Sequence, residues 1–208
     1  MTPKSRVEAI LRHQPADRIP FTVYEDVLPR CADERELRND GLCLIARRPS
    51  VYSVVHPNIE EAKVEFVEHG SVYVRTEMKT PFGDLSMTTC EMREEGFSWT
   101  VDRWFKRPDD YDALEFMVRD AVYVPEYDRI AEFQRVWGDD VFSIAEVSHS
   151  PMQEIIYGMM GLPIFAEEWS QRRDRVLTLY HSILDAHRRL YSVVAESPVT
   201  AVVYDGNV

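Results

Sequence analysis

The sequence predicts an α/β fold in which parallel strands alternate with helices and an antiparallel β-meander is inserted. Three observations carry this. Short apolar runs at residues 21–24, 42–46, 141–145 and 199–204 read as buried strands. The stretches between them carry helical period or helix-start signals, and alternation of strand with helix calls for parallel pairing through right-handed crossovers. From Val51 to Lys106 the pattern changes to alternating polar and apolar residues punctuated by turn formers, as in VEFVEHGSVYVRTEMK.

The elements follow in order. Thr2 before Pro3 starts a helix, because the hydroxyl can accept an orphan backbone N–H and proline fits the first helical position. Val7, Ile10 and Leu11 give that helix an apolar face, and Pro15 and Pro20 bracket the turn into the first strand. Residues 32–38 form a short charged helix closed by Asn39-Asp40-Gly41 ahead of the second strand. His69-Gly70, Pro81-Phe82-Gly83 and Gly96 divide the meander. Arg107-Pro108-Asp109-Asp110 then opens a helix over residues 111–118, and a further helix over Tyr127 to Trp137 ends at Gly138. After the third strand, Pro151 to Gly161 reads as a helix. Ser170 to Ser197 has the clearest helical period, with Val176, Leu177, Tyr180, Ile183, Leu184, His187, Leu190, Tyr191 and Val194 on one stripe. Asp205 to Val208 follow the fourth strand with no helix to cover its edge, so the chain reads as interrupted.

Composition bounds the function. At 208 residues and 45% hydrophobic content the chain can bury a real core. The net charge of -12 makes nucleic acid and anionic membrane poor partners. Cys31, Cys43 and Cys90 are odd in number with no CxxC spacing, which argues against a disulfide framework and a zinc knuckle. No signal-length apolar run opens the chain, and no stretch of about 18 apolar residues occurs, so a cytoplasmic location is expected.

The opening TPKSRVEAILRHQPADRIPF resembles the start of the uroporphyrinogen decarboxylase-like superfamily, which includes decarboxylases and cobalamin-dependent methyltransferases. The segments KTPFGDLS, VFSIAEVSHSPMQEIIYGMMGL and AESPVTAVVYDGNV are similar to stretches of its methyltransferase-like branch, in the same order. The resemblance implies the N-terminal half of a (β/α)8 TIM barrel in one partial domain over residues 1–208, with the β-meander inserted at about 51–106. It places Phe21, Leu44, Ile144 and Val202 on barrel strands one to four. True decarboxylases carry an arginine-rich loop of the form RQAGR after strand one, where this chain has YEDVLPR. Arg30 is then a lone candidate cation for a polycarboxylate substrate. The corrinoid methyltransferases bind zinc through a His-x-Cys pair and a later Cys in the second half of the barrel, and this sequence has no such pair.

In a (β/α)8 barrel the site lies at the carboxyl ends of the strands. That rule selects Tyr24, Glu25 and Asp26, then Glu146, Ser148 and His149, then Asp205 and Asn207. Asp205, His149 and Glu146 are the candidate catalytic groups. Tyr24, Glu25, Asn207, Ser148 and Met152 are the candidate substrate contacts. Histidine as a residue type ordinarily changes charge near neutrality, which suits His149 to general acid–base work or to binding a substrate carboxylate, and Ser148 and Ser150 can fix its tautomer; the simpler role is capping the helix at Pro151. Glu25 and Glu146 can act as a pair of carboxylates across the mouth, or be structural acids tied to arginines. Asp-Gly-Asn presents two oxygen-bearing side chains, or satisfies its own turn. His187, on the apolar stripe, reads as a satisfied core histidine, and Met152, Met159 and Met160 read as core more readily than as a cofactor floor.

The resemblance implies an enzyme that brings a small methylated substrate to a corrinoid on a partner protein, with zinc held outside these residues. Two alternatives stand beside it: a decarboxylase-like enzyme on a tetrapyrrole or other acidic substrate, and a non-catalytic remnant whose open edges pair with another chain or its own copy as a homo-oligomer.

Overall fold

The computed structural model describes residues 1–92, 97–147 and 149–204. The chain is a mixed α/β fold that divides into two compact units. The first takes Met1–Ser53, Pro125–Val147 and Val193–Val203; the second takes Val54–Val124, residues 149–192 and Tyr204.

The first unit is built on parallel strands. Strand β1 (Phe21–Tyr24) pairs in parallel with β2 (Leu42–Ala46), and β2 pairs in parallel with β9 (Val141–Ser143). The N–H of Ile144 still bonds to Ala46 O at 2.9 Å, after which the chain continues as β10 (Ala145–Val147), which pairs with β11 (Val202–Tyr204). The expected third strand over 141–145 is therefore two short strands meeting at Ile144, and Glu146 lies inside β10 rather than after it. The fourth strand starts at Val202, later than the apolar run suggests. The central strand buries both faces, as parallel sheets require. Cys43, Phe142 and Ile144 meet Val7 of helix α1 (Pro3–Leu11) on one side. Leu42, Leu44, Ala46 and Val141 meet Phe133 and Trp137 of helix α4 (Tyr127–Trp137) on the other.

Local chemistry fixes the ends of these elements. Thr2 caps α1 by accepting the Ser5 N–H at 3.1 Å. Buried Arg6 reaches out of α1 to Asp17 with two bonds of 2.6 and 2.9 Å, and the guanidinium holds that carboxyl well below the usual carboxylate range. Helix α2 (Ala32–Asn39) ends before Gly41, whose φ of +105° belongs to the left-handed region. A Cβ there would lie 1.9 Å from the Arg18 guanidinium, which donates to Asp40 O at 2.6 Å.

Cys43 sits in the middle of this sheet, and burial pushes its thiol up to about 11. An unfolded thiol titrates near 8.5, so this stabilisation is present below about pH 8.5 and is lost as pH rises through the folded value. The urea midpoint should fall between pH 8 and pH 10.5 more steeply in the wild type than in Cys43→Ala; parallel slopes would refute the assignment.

The second unit holds the four-stranded antiparallel sheet β4 (Glu60–Glu68), β5 (Ser71–Thr80), β6 (Gly83–Met92) and β7 (Phe97–Asp102) in sequential order. His69 and Gly70, at φ of 48° and 82°, form the two-residue turn between β4 and β5 that the twist of a hairpin favours. All nine residues of edge strand β4 are exposed. The stretch 51–106 is not all meander: β3 (Tyr52–Val55) pairs instead with β8 (Val122–Pro125), and the chain passes between the units within these two strands.

Helix α3 (Asp110–Asp120) lays Tyr111, Leu114, Met117 and Val118 into a core shared with Met78 and Leu85 of the sheet. The same core takes Val176, Leu179, Ile183 and Ala186 from the long helix α7 (Arg173–Ala195). The segment after Pro151 is only one turn of α-helix, α5 (Pro151–Gln153), followed by a π-helix over Glu154–Met160 and then α6 (Leu162–Gln171). The single long helix expected from Ser170 is thus broken at Arg172. Met159 and Met160 are core residues, as read from the sequence. Among the described residues no helix is long and apolar enough to cross a membrane.

Candidate functional site at the strand ends

Parallel strands send their carboxyl ends to one side of a sheet, and ligands of such sheets bind there. In the first unit that side carries Tyr24, Glu25, Arg47 and Ser143. The Glu25 N–H continues the ladder to Ile45 O at 3.2 Å. Its side chain then turns toward β2, and Oε1 accepts the Arg47 N–H at 2.9 Å. A carboxylate oxygen thereby takes the place of the next main-chain carbonyl, and the ladder between β1 and β2 stops. The other oxygen, Oε2, is buried with no hydrogen-bond partner among the described residues.

The Arg47 guanidinium turns away from Glu25. It pairs with Asp26 Oδ2 at 2.8 Å and lies 4.5 Å from the centre of the Tyr24 ring. Ser143 closes β9 with its side chain buried, and its Oγ also has no described partner. Glu146 is half-buried in β10 and makes no hydrogen bond or ion pair to another described residue. Arg30, the lone candidate cation, is engaged with Glu34 at 2.9 Å and with the Trp137 ring at 4.4 Å.

A second group of titratable side chains lies in the second unit. His187, buried on α7, places Nε2 3.0 Å from Oε2 of Glu154, the first residue of the π-helix. A carboxylate at this distance from a ring nitrogen fixes the orientation of the imidazole. Nδ1 is buried and has no described partner, so the expectation of a fully satisfied core histidine is corrected: the residue is core, but one nitrogen is left open. One turn along α7, Tyr191 stands with its ring 5.9 Å from that of His187. Burial, a hydrogen bond with Tyr204 and the Glu154 charge push the Tyr191 hydroxyl up to about 12. Glu154 and His187 are 33 positions apart, and no periodicity links them. The only signal available was a histidine on an apolar stripe.

Of the remaining sequence candidates, Asp205, Asn207 and Ser148 lie outside the described residues. His149 is half-buried with its ring 6.0 Å from that of Tyr157. The cap of the helix at Pro151, the simpler role considered for His149, belongs to Ser150. Its Oγ accepts the Gln153 N–H at 3.4 Å in a capping box. Met152 is half-buried in α5. Among the described residues no cluster of three or more metal-ligating side chains occurs. No protein-family model, no curated protein and no solved structure matches this chain.

Proposed function

We propose that this chain is the N-terminal half of a (β/α)8 barrel of the uroporphyrinogen decarboxylase-like superfamily, of the branch that moves a methyl group from a small substrate to a corrinoid on a partner protein. The observation that carries this reading is the strand order: β1, β2, β9 continued as β10, and β11 are neighbours in the order in which they occur in the chain. Sequential addition on one side builds a barrel, whereas doubly wound sheets reverse direction near their middle. The apolar contact of Val7 in α1 with Cys43, Phe142 and Ile144 fits a helix closing one end of such a barrel.

The chain's own residues act in binding and orientation. Tyr24 and Glu25, at the carboxyl end of β1, are the substrate contacts in this reading, and within the second unit the Glu154 carboxylate orients the His187 ring. The donor set here does not fit zinc, since the sequence has no His-x-Cys pair, and no step is assigned to a metal. The decarboxylase alternative is less favoured because Arg30 and Arg47 already have carboxylate partners.

Reading the source locus beyond codon 208 tests the proposal. An open frame of about four further strand-helix units containing His-x-Cys and a later Cys is expected. The product of that frame should convert cob(I)alamin to methylcob(III)alamin with a methylated donor, followed by absorbance. A stop codon, or a frame without those ligands, overturns the reading.

A further inference from the structure

We propose that the outer edge of β4 is an interface between two copies of this chain, which pair their β4 strands antiparallel about a two-fold axis through Val64 and so join two four-stranded sheets into a continuous one. The inference concerns the second unit alone and stands whether or not the barrel reading holds.

Strand β4 is nine residues long, all of them exposed, and among the described residues only β5 flanks it. Natural sheets shorten, bulge or cover such an edge, or interrupt it with proline. β4 shows none of these, and its register with β5 runs unbroken from Glu60↔Lys79 to Glu68↔Ser71. Charge is the remaining protection, and here the charges are arranged to pair. The turn at His69 and Gly70 has two residues, so Glu68 and Ser71 are a hydrogen-bonded pair, and the even-numbered residues of β4 turn their N–H and C=O toward β5. Glu61, Lys63, Glu65 and Val67 turn theirs outward, where a further strand would meet them.

Antiparallel pairing of two β4 edges sets these four residues against the same four of the second copy. A two-fold through Val64 does so over the whole strand: Glu61 faces Val67, Lys63 faces Glu65, and the reciprocal pairs follow by symmetry. Lys63 lies 2.9 Å from Glu61 in its own strand and would bridge that carboxylate and the second copy's Glu65. A two-fold through Lys63 would instead set that lysine against itself and Glu61 against Glu65, and one through Glu65 would set two carboxylates together. Axes nearer either end pair fewer residues. Opposite charges across a strand pair stabilise it and like charges destabilise it, so the charges select the Val64 register.

The other face of the seam is apolar at its middle. Val64, 50% exposed, meets Val64 of the second copy, and Phe66, stacked on Tyr73 at 5.4 Å, lies opposite Ala62 of the second copy. Glu60 and Glu68 oppose each other only at the ends, where Lys79 already holds Glu60 at 3.0 Å. The net charge of -12 opposes association at longer range, and about 0.15 M salt screens that repulsion beyond about 8 Å. A basic extended peptide would suit the glutamates of β4 but would set a cation against Lys63, where a second copy supplies a carboxylate.

The test is sedimentation equilibrium of the 208-residue chain at about 0.15 M salt, where a reversible monomer–dimer equilibrium is expected. Glu65→Lys should weaken the dimer by at least about tenfold, since both cross-strand pairs become repulsive, and adding Lys63→Glu should restore affinity to within about threefold of the wild type. Both positions are exposed, so the fold should survive, which circular dichroism checks; if it does not, cross-linking decides. Opposed residues of a non-hydrogen-bonded pair have Cα atoms about 4.5 Å apart, within disulfide reach, so oxidation of Val64→Cys should link two copies at position 64. Phe66→Cys should not link to itself, because the two copies of position 66 lie about 14 Å apart along the seam. The wild type, with Cys31, Cys43 and Cys90 as free thiols, gives the background, and mass mapping identifies the bridge. A chain that stays monomeric up to about 1 mM overturns the proposal. So does a dimer that Glu65→Lys leaves intact, or equal cross-linking at positions 64 and 66, because the copies would then meet elsewhere or in another register.

Discussion

Truncating Leu114 to alanine should lower the unfolding free energy by about 3 kcal/mol, the middle of the range for buried leucines. Leu114 is fully buried on α3, where the antiparallel sheet contributes Met78 and Leu85 and α7 contributes Val176, Leu179 and Ile183. The cluster that holds Leu114 thus draws on β5, β6 and α7 besides α3. Collapse into the space it leaves would require a sheet and a long helix to shift together, so most of the void should persist. Urea unfolding followed by far-UV circular dichroism measures the loss. Val67→Ala, at a position 69% exposed on β4, is the control and should stay within about 0.5 kcal/mol of the wild type. A loss below about 1 kcal/mol for Leu114→Ala would mean that the core around α3 is looser than described.

Glu168→Ala should cost a similar amount, about 3 kcal/mol, for a different reason. The hydroxyl of fully buried Tyr111 donates to Glu168 Oε2 at 3.1 Å, and Arg172 donates to Oε1 at 2.8 Å. Burial, followed by the Glu168 charge, raises the Tyr111 hydroxyl above its ordinary value, so the phenol remains the donor. Removing the carboxylate leaves that hydroxyl buried without an acceptor. Arg172 is 37% exposed and can return to water. The discriminating measurement is therefore the double-mutant cycle with Tyr111→Phe. The double variant should be more stable than the sum of the single losses implies, by about 1 kcal/mol or more, because it has no orphan to bury. Strict additivity would show that the carboxylate acts through Arg172 alone.

Which parts of the fold were legible follows from the range over which their signals act. Helix α4 was readable to the residue because its apolar spacing and Gly138 are local. Strands β1 and β2 and the turns between β4 and β5 and between β5 and β6 were readable for the same reason, while Gly96 lies outside the described residues. The β3–β8 pair was missed because each strand has four residues and its partner lies far along the chain. The π-helix was missed because its apolar residues fit an α-helical stripe nearly as well, and only the hydrogen-bond pattern differs.

The site divides in the same way. Tyr24 and Glu25 could be placed at the end of β1 because a strand end is a local feature. Ser143 was absorbed into an apolar run, although its orphan hydroxyl is what makes the strand end chemically uneven. The Glu154-His187 contact depends on α7 returning past the segment that follows β10, which no window of sequence contains.

That π-helix makes the contact depend on counting as well as on chemistry. A π turn holds one residue more than an α turn needs, and such turns can be regarded as single insertions that a helix has absorbed. Losing any one residue between Ile155 and Met160 would let the segment relax to α-helical winding, and each residue before the deletion would rotate by about 100° relative to those after it. Glu154 would then leave the side facing His187 even with both side chains intact. Exchanges at exposed Tyr157 leave the count unchanged and preserve the geometry. This stretch should therefore accept substitutions more readily than length changes, unlike a surface loop, where insertions and deletions are the easier events.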